Sequence, residues 1–288
     1  MKAALLCLTI WLTMPLGTAH AADAGTVTIV EGHARVLRDT TWYKVVPGAR
    51  IQEGDIVEAV GTAQVQVELN SGGTLSLGGP GMVFAAALPF AGDKPAGVLD
   101  FVLPAGWLKL VAKAPPAGFR VESGPAAVTA VDAIVVQHAQ PDAFEVFVES
   151  GAAKIVETGL AAKGAAPQDA RAGEYWGQSA DRPLRSERRA PAAFVAAMPR
   201  QLQDPLPVLA PKFKAVKVQL VAEQQLSYAE AEPWLAGAYR KTFLKRFAPR
   251  LRDREFRAAV EAHMARYPEW DPILHPEKYQ PKVPAESK

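Results

Sequence analysis

Sulfur chemistry is almost missing from this 288-residue chain, whose one cysteine, Cys7, lies in an apolar leader. Once that leader is removed no thiol remains, which excludes disulfides, thiolate metal ligation and a cysteine nucleophile. Lipoprotein attachment is excluded too, since no cysteine stands at the cleavage point. Histidine is scarce. His33, His138, His263 and His275 lie beyond the leader, no two of them at i, i+4 and none in an H-E-x-x-H pattern, so no metal site is expected. The glycine-rich stretch from Gly72 to Gly81 lacks the Gly-Lys-Ser/Thr of a phosphate loop, and no G-x-S-x-G elbow is found. Carboxylate neighbours such as Glu230 and Glu232 have no cleft assigned to them. The chain therefore reads as non-catalytic and without a cofactor. A glycan-processing enzyme with two opposed acids is the remaining catalytic alternative.

Long apolar runs are also lacking, with one exception. Residues 1–21 combine Lys2, an apolar stretch from Ala3 to Leu16 and the small-x-small motif Ala19-His20-Ala21. That is the pattern of a cleavable export signal, with cleavage near Ala21/Ala22. The apolar stretch is shorter than the roughly 20 residues a spanning helix needs. The mature protein is expected in the periplasm. An uncleaved inner-membrane anchor is the other reading.

Charge is unevenly divided. Residues 22–180 hold 11 Lys/Arg against 17 Asp/Glu, whereas residues 181–288 hold 20 against 13. The halves are thus built differently, and their opposite charges could serve either mutual docking or separate partners.

What is abundant from Gly25 onward is the strand-and-turn signature. Short runs rich in Val, Ile and Thr alternate with Gly, Asn, Ser and Asp. In Gln64-Val65-Gln66-Val67-Glu68-Leu69 every second residue is apolar, which predicts one buried and one wet face. Asn70-Ser71-Gly72-Gly73 supplies the positive-φ residues of a hairpin reversal. After a Pro/Gly-bearing break at residues 89–97 the strand pattern resumes as far as Glu157. Residues 27–36 and 146–155 echo one another as strand, tight turn, strand, which suits stacked β-arches.

Residues 25–176 resemble the FecR domain, within a β-domain expected over residues 22–176. The family opens its first half with G-x-V and a tryptophan, then G-x-x-l-x-x-G-D, and closes it with a d-G-s-x-l-x-l turn. The corresponding residues here are Gly25-Thr26-Val27, Trp42, the run from Gly48 to Gly54-Asp55, and Asn70-Ser71-Gly72-Gly73-Thr74-Leu75. In the second half Gly106-Trp107-Leu108-Lys109-Leu110, Phe119-Arg120-Val121 and Val146-Phe147-Val148-Glu149-Ser150-Gly151 are similar to family elements. Asp132-Ala133 stands where the family has Gly-Thr. The resemblance implies a mainly β fold, a β-sandwich or a short β-solenoid of stacked hairpins. It also implies, from its best-known members, an iron-responsive relay to an extracytoplasmic sigma factor. Those members span the inner membrane, whereas this chain shows only a cleavable leader before its first strand. An envelope binding or scaffold module is therefore the first reading and sigma regulation the alternative. Apart from the family, Gly54 and Asp55 are expected to shape a turn rather than to hold a ligand.

Residues 177–226, rich in Pro and Arg, read as a linker or a strap along the β-domain, with a short helix around Phe194. From Ser227 the period becomes helical. Ser227 and Glu230 have capping-box spacing, and Leu235, Tyr239, Phe243 and Phe247 form one stripe. Pro249 is expected to open a second helix carrying Phe256, Val260 and Met264, followed by an aromatic, proline-dense tail through residue 288. This helical pair carries Arg240, Lys241, Lys245, Arg246, Arg250, Arg252, Arg254 and Arg257. Export excludes nucleic acid as their partner. An envelope protein or an anionic glycan or lipid surface would suit them, unless the face is merely solvated or docks on the acidic β-domain.

Overall fold

The computed structural model describes residues 23–88, 90–91, 94–95, 97–113, 118–158, 166–179, 182–237 and 239–279. The expected leader and its cleavage point lie outside them. The fold is mainly β, one large mixed sheet that does not close into a barrel, followed by a short helical segment.

The first half lays down β1 (Asp23–Glu31), β2 (Ala34–Arg38), β3 (Thr41–Lys44), β4 (Arg50–Gln52), β5 (Ile56–Ala59), β6 (Gln64–Leu69) and β7 (Thr74–Ala87). A separate hairpin, β8 (Phe90–Ala91) with β9 (Lys94–Pro95), precedes β10 (Leu99–Ala112), β11 (Phe119–Ser123), β12 (Ala126–Gln140) and β13 (Ala143–Glu157). Then come β14 (Gln168–Arg171), β15 (Tyr175–Ser179), β16 (Arg182–Glu187) and, much later, β17 (Val221–Gln225). The 15-stranded sheet runs β16-β15-β13-β12-β11-β10-β7-β5-β2-β3-β17, with β1 joined to β4 and β6 beside that path. Pairings are antiparallel except β10 with β11.

The sheet bends over its own apolar face. The first part of β7 pairs with β6 and the second with β5, the change falling between Gly78 and Gly81. Opposite that bend, β10 shifts register between Val102 and Trp107. A Cβ on Gly106 would stand 2.5 Å from the Gly81 Cα, so only glycine lets these two strands cross so closely. The echo noted between residues 27–36 and 146–155 marks two corners. At Gly32 the chain leaves the β4 and β6 partners of β1 for β3 and β5. At Gly151 the continuous strand β13 exchanges β15 for β14. The second unit is thus one bent strand rather than strand, turn, strand.

Three apolar clusters hold the molecule together. The largest lies inside the bent sheet and includes Val27, Val65, Val67, Leu75, Leu108, Leu110, Phe119, Val135, Phe144 and Val146. A second joins Leu37, Trp42, Ile56 and Phe84 on the outer face of β2, β3, β5 and β7 to the C-terminal helices. A third is built on Trp107, Val136 and Tyr175, covered by Phe194, Met198 and Leu202.

Residues 177–226 are not a spacer. β16 adds a strand at one edge of the sheet and β17 pairs with β3 at the other. Between them α1 (Ala192–Ala197) and α2 (Arg200–Gln203) seat the third cluster. The chain then crosses the sheet's outer surface. Gln66 donates to the Pro207 carbonyl, and the Glu68 carboxylate accepts from the amides of Leu209 (2.6 Å) and Ala210 (3.0 Å). Lys109, 1% exposed, donates to the carbonyls of Leu202 and Asp204 and pairs with Glu149. This corrects the reading of β6. Its polar face is buried, because the strap supplies partners for Gln66 and Glu68 where water was expected.

The expected first helix is two, α3 (Tyr228–Ala236) and α4 (Arg240–Phe247), separated near Gly237, the C-cap of α3. The Ser227–Glu230 capping box is present. Pro249 opens a 3-10 turn over Ala248–Arg252, and the helix expected to begin there, α5 (Arg254–Ala262), starts instead from Asp253, whose carboxylate accepts from the Phe256 amide. A one-turn α6 (Asp271–Leu274) places Trp270 and Leu274 in the second cluster, so this part of the tail packs back on the helices. Residues 280–288 lie outside the described residues.

Candidate ligand groove

The family-motif residues are dispersed and structural in their contacts. Trp42 lies in the second cluster under the Arg35 guanidinium, 4.1 Å above the ring. Gly48 (φ +94°), Gly54 (φ +87°), Gly72 (φ +88°) and Gly151 (φ +73°) each hold a left-handed turn. Asp55, 1% exposed, accepts from Nε and Nη2 of Arg38 (2.9 and 2.7 Å) and from the Gln52 amide (2.9 Å). Its two oxygens are thus occupied inside the turn it opens.

The eight basic residues do not form one surface. Arg246 reaches into the β-domain, donating to the carbonyls of Leu37, Asp39 and Gly54; burial lowers its pKa. Arg250 donates to the Leu226 carbonyl, and Arg240 to the Leu235 carbonyl and Glu269. Arg257 pairs with Glu261 along its own helix. Lys241, Lys245, Arg252, Arg254 and Arg257 are exposed. The helices are therefore seated on the β-domain by apolar packing and guanidinium–carbonyl bonds, with Arg35–Glu230 a part-buried ion pair between β2 and α3.

Two polar clusters went unnoticed in the sequence. His138 stacks on Trp107 (4.1 Å between centroids) and lies 2.8 Å from Glu145, to which Tyr175 donates at 2.6 Å. Burial alone would raise the Glu145 pKa, but the bonds from His138 and Tyr175 outweigh it and bring it below the usual carboxylate range. A polar recess of about 400 Å³ adjoins Glu145, Tyr175, Arg182 and Arg185.

The second cluster stands at the mouth of a larger and different cavity. Where α3 and α4 lean over the crossing of β7 and β10, a groove of about 520 Å³ is left between helices and sheet. Met82 and Val102 form its floor, and Trp234, Tyr239 and Phe243 its helical wall. Phe84 braces that wall from beneath, 4.9 Å from Phe243 and 6.0 Å from Trp234 between centroids. The break at Gly237 turns α3 against α4 and lets both present aromatics to the same space. Among the described residues Glu122 is the one charged residue lining the groove. Arg120, beside it, bonds Glu122 at 2.7 Å and both Asp100 oxygens at 2.9 and 3.1 Å. Burial opposes the charge of Arg120, yet these carboxylate bonds raise its pKa. Burial, and then the charges of Asp100 and Glu122, push the Tyr239 phenol up. The arrangement offers an apolar, aromatic-walled slot with one carboxylate at its edge. Among the described residues no group of three His, Cys, Asp or Glu side chains could hold a metal ion.

None of the candidate site residues named from sequence lines this groove, although Tyr239 and Phe243 of the expected helical stripe do. Its walls come from β7, β10, β11 and α3–α4, which no local pattern connects. The alternation Arg120-Val121-Glu122 on one strand face was the signal available.

No family model and no curated protein matches the chain. Among solved structures it is similar to a candidate anti-sigma factor from Parabacteroides distasonis, seen in crystal structures at 1.65 and 2.50 Å resolution. The TM-score is 0.40 for both, with 12% and 10% sequence identity, over 49% of this chain. The match spans only 63% and 62% of those chains.

Proposed function

We propose that this chain is an exported, non-catalytic binding module of the FecR type, which holds an apolar segment of an envelope protein in the groove between the sheet and α3–α4. The observation that carries this reading is the groove itself. Apolar wall left facing water forgoes roughly 25 cal/mol per Å² of burial. Concave apolar sites with few polar groups are where proteins hold ligands. Around the groove the same elements pack closely, with Phe84, Trp234 and Phe243 in mutual contact. The space is therefore local to one face rather than a sign of loose packing.

The test uses the mature chain and the neutral fluorophore N-phenyl-1-naphthylamine. Saturable binding to one site is expected, abolished in Ala236→Trp, which puts an indole into the groove from the exposed end of α3. Failure of the dye to bind, or binding indifferent to that substitution, refutes the reading. Export is checked by N-terminal sequencing of the periplasmic form, expected to begin near Ala22.

A further inference from the structure

The carboxylate at the groove mouth says more about the occupant than the walls do. Asp100 and Glu122 share a single guanidinium, Arg120, so the three charges leave one net negative. The lining residues from α3 and α4, Trp234, Tyr239 and Phe243 among them, carry no charge to offset it. Glu122 Oε2 accepts from Arg120, while Oε1 has no hydrogen-bond partner among the described residues. The Glu122 side chain is 16% exposed, so its charge acts across little water.

We infer that the groove selects a partner segment in which aliphatic or aromatic side chains are followed by a Lys or Arg, the cation pairing with Glu122. This rests on the binding reading above and narrows it from any apolar occupant to a basic-ended one. An apolar anchor in the slot supplies affinity, and the charge at the rim sets which end enters and which segments are rejected. An acidic-ended segment would meet Glu122 and Asp100 and be turned away. That excludes fatty-acid carboxylates and phospholipid phosphates as preferred occupants, although the walls alone would accept their chains.

The experiment displaces N-phenyl-1-naphthylamine from the mature chain with two capped hexapeptides, acetyl-Gly-Leu-Phe-Leu-Arg-Gly-amide and its Glu counterpart. The Arg peptide is expected to displace the dye at about tenfold lower concentration at low salt. Glu122→Gln, with its own dye affinity measured first, should bring the two peptides within about twofold of one another. Asp100→Asn provides a second variant, expected to narrow the gap in the same direction. Equal displacement by both peptides, or selectivity unchanged in Glu122→Gln, overturns the inference while leaving the groove as a binding site. A dye that does not bind, or one that ignores Ala236→Trp, overturns the binding reading instead.

Discussion

Replacing Asp55 by Asn tests whether the Gly54-Asp55 turn is a structural keystone rather than a ligand contact. Both Asp55 oxygens are committed, one to Arg38 Nε and the other to Arg38 Nη2 and the Gln52 amide. Asparagine offers a single acceptor. Its amide nitrogen would face one of these donors, so at least one of the three bonds is replaced by a donor–donor contact. Removing one member of a buried ion pair costs about 3–5 kcal/mol. The Arg38 side chain is 27% exposed and can regain water, which places the loss near the lower bound, about 3 kcal/mol. For a domain of this size each kcal/mol moves Tm by about 2–4 °C, so a fall of about 6–12 °C is expected. The assay is thermal and urea unfolding of the mature chain beside Arg38→Gln and the double variant. The double variant should be little worse than Asp55→Asn alone, because the two residues act as one unit. A loss below about 0.5 kcal/mol, the range of ordinary surface substitutions, would refute the reasoning.

Glu68→Gln leaves one of the Leu209 and Ala210 amides without its acceptor. Tryptic cleavage at Lys212 and Lys214 should quicken by roughly tenfold or more with the sheet intact, and an unchanged rate would show that the strap does not depend on that carboxylate. Arg246→Ala strips three carbonyls of their donor and is expected to cost about 2–4 kcal/mol in urea unfolding, whereas Arg254→Ala, at an exposed site, should stay within about 0.5 kcal/mol. Glu145 has a lowered folded-state pKa, so its contribution is fully present above the ordinary carboxylate value and is lost as pH falls through the folded one. Glu145→Gln should therefore destabilise by about 1–2 kcal/mol at pH 7, with the gap to the parent chain closing below about pH 4.

The mainly β class was legible because its causes are local. Val/Thr alternation, positive-φ glycines at 48, 54 and 72, and the Ser227–Glu230 box each act within a few residues. The sequence pattern by itself therefore determined strands, reversals and the change to helix after Ser227. It misassigned Gln66 and Glu68 to a wet face, because alternation reports polarity and not what covers it. Only the tertiary structure decided that, through a strap some 140 residues later whose amides and carbonyls satisfy those side chains. The same applies to Arg246 and Arg250, equal in sequence to the exposed Arg252 and Arg254 but turned by helix phase onto carbonyls of distant segments. The groove is the extreme case. A cavity is the space left between β7, β10, β11 and α3–α4 once each has found its packing partners, and no single segment carries it.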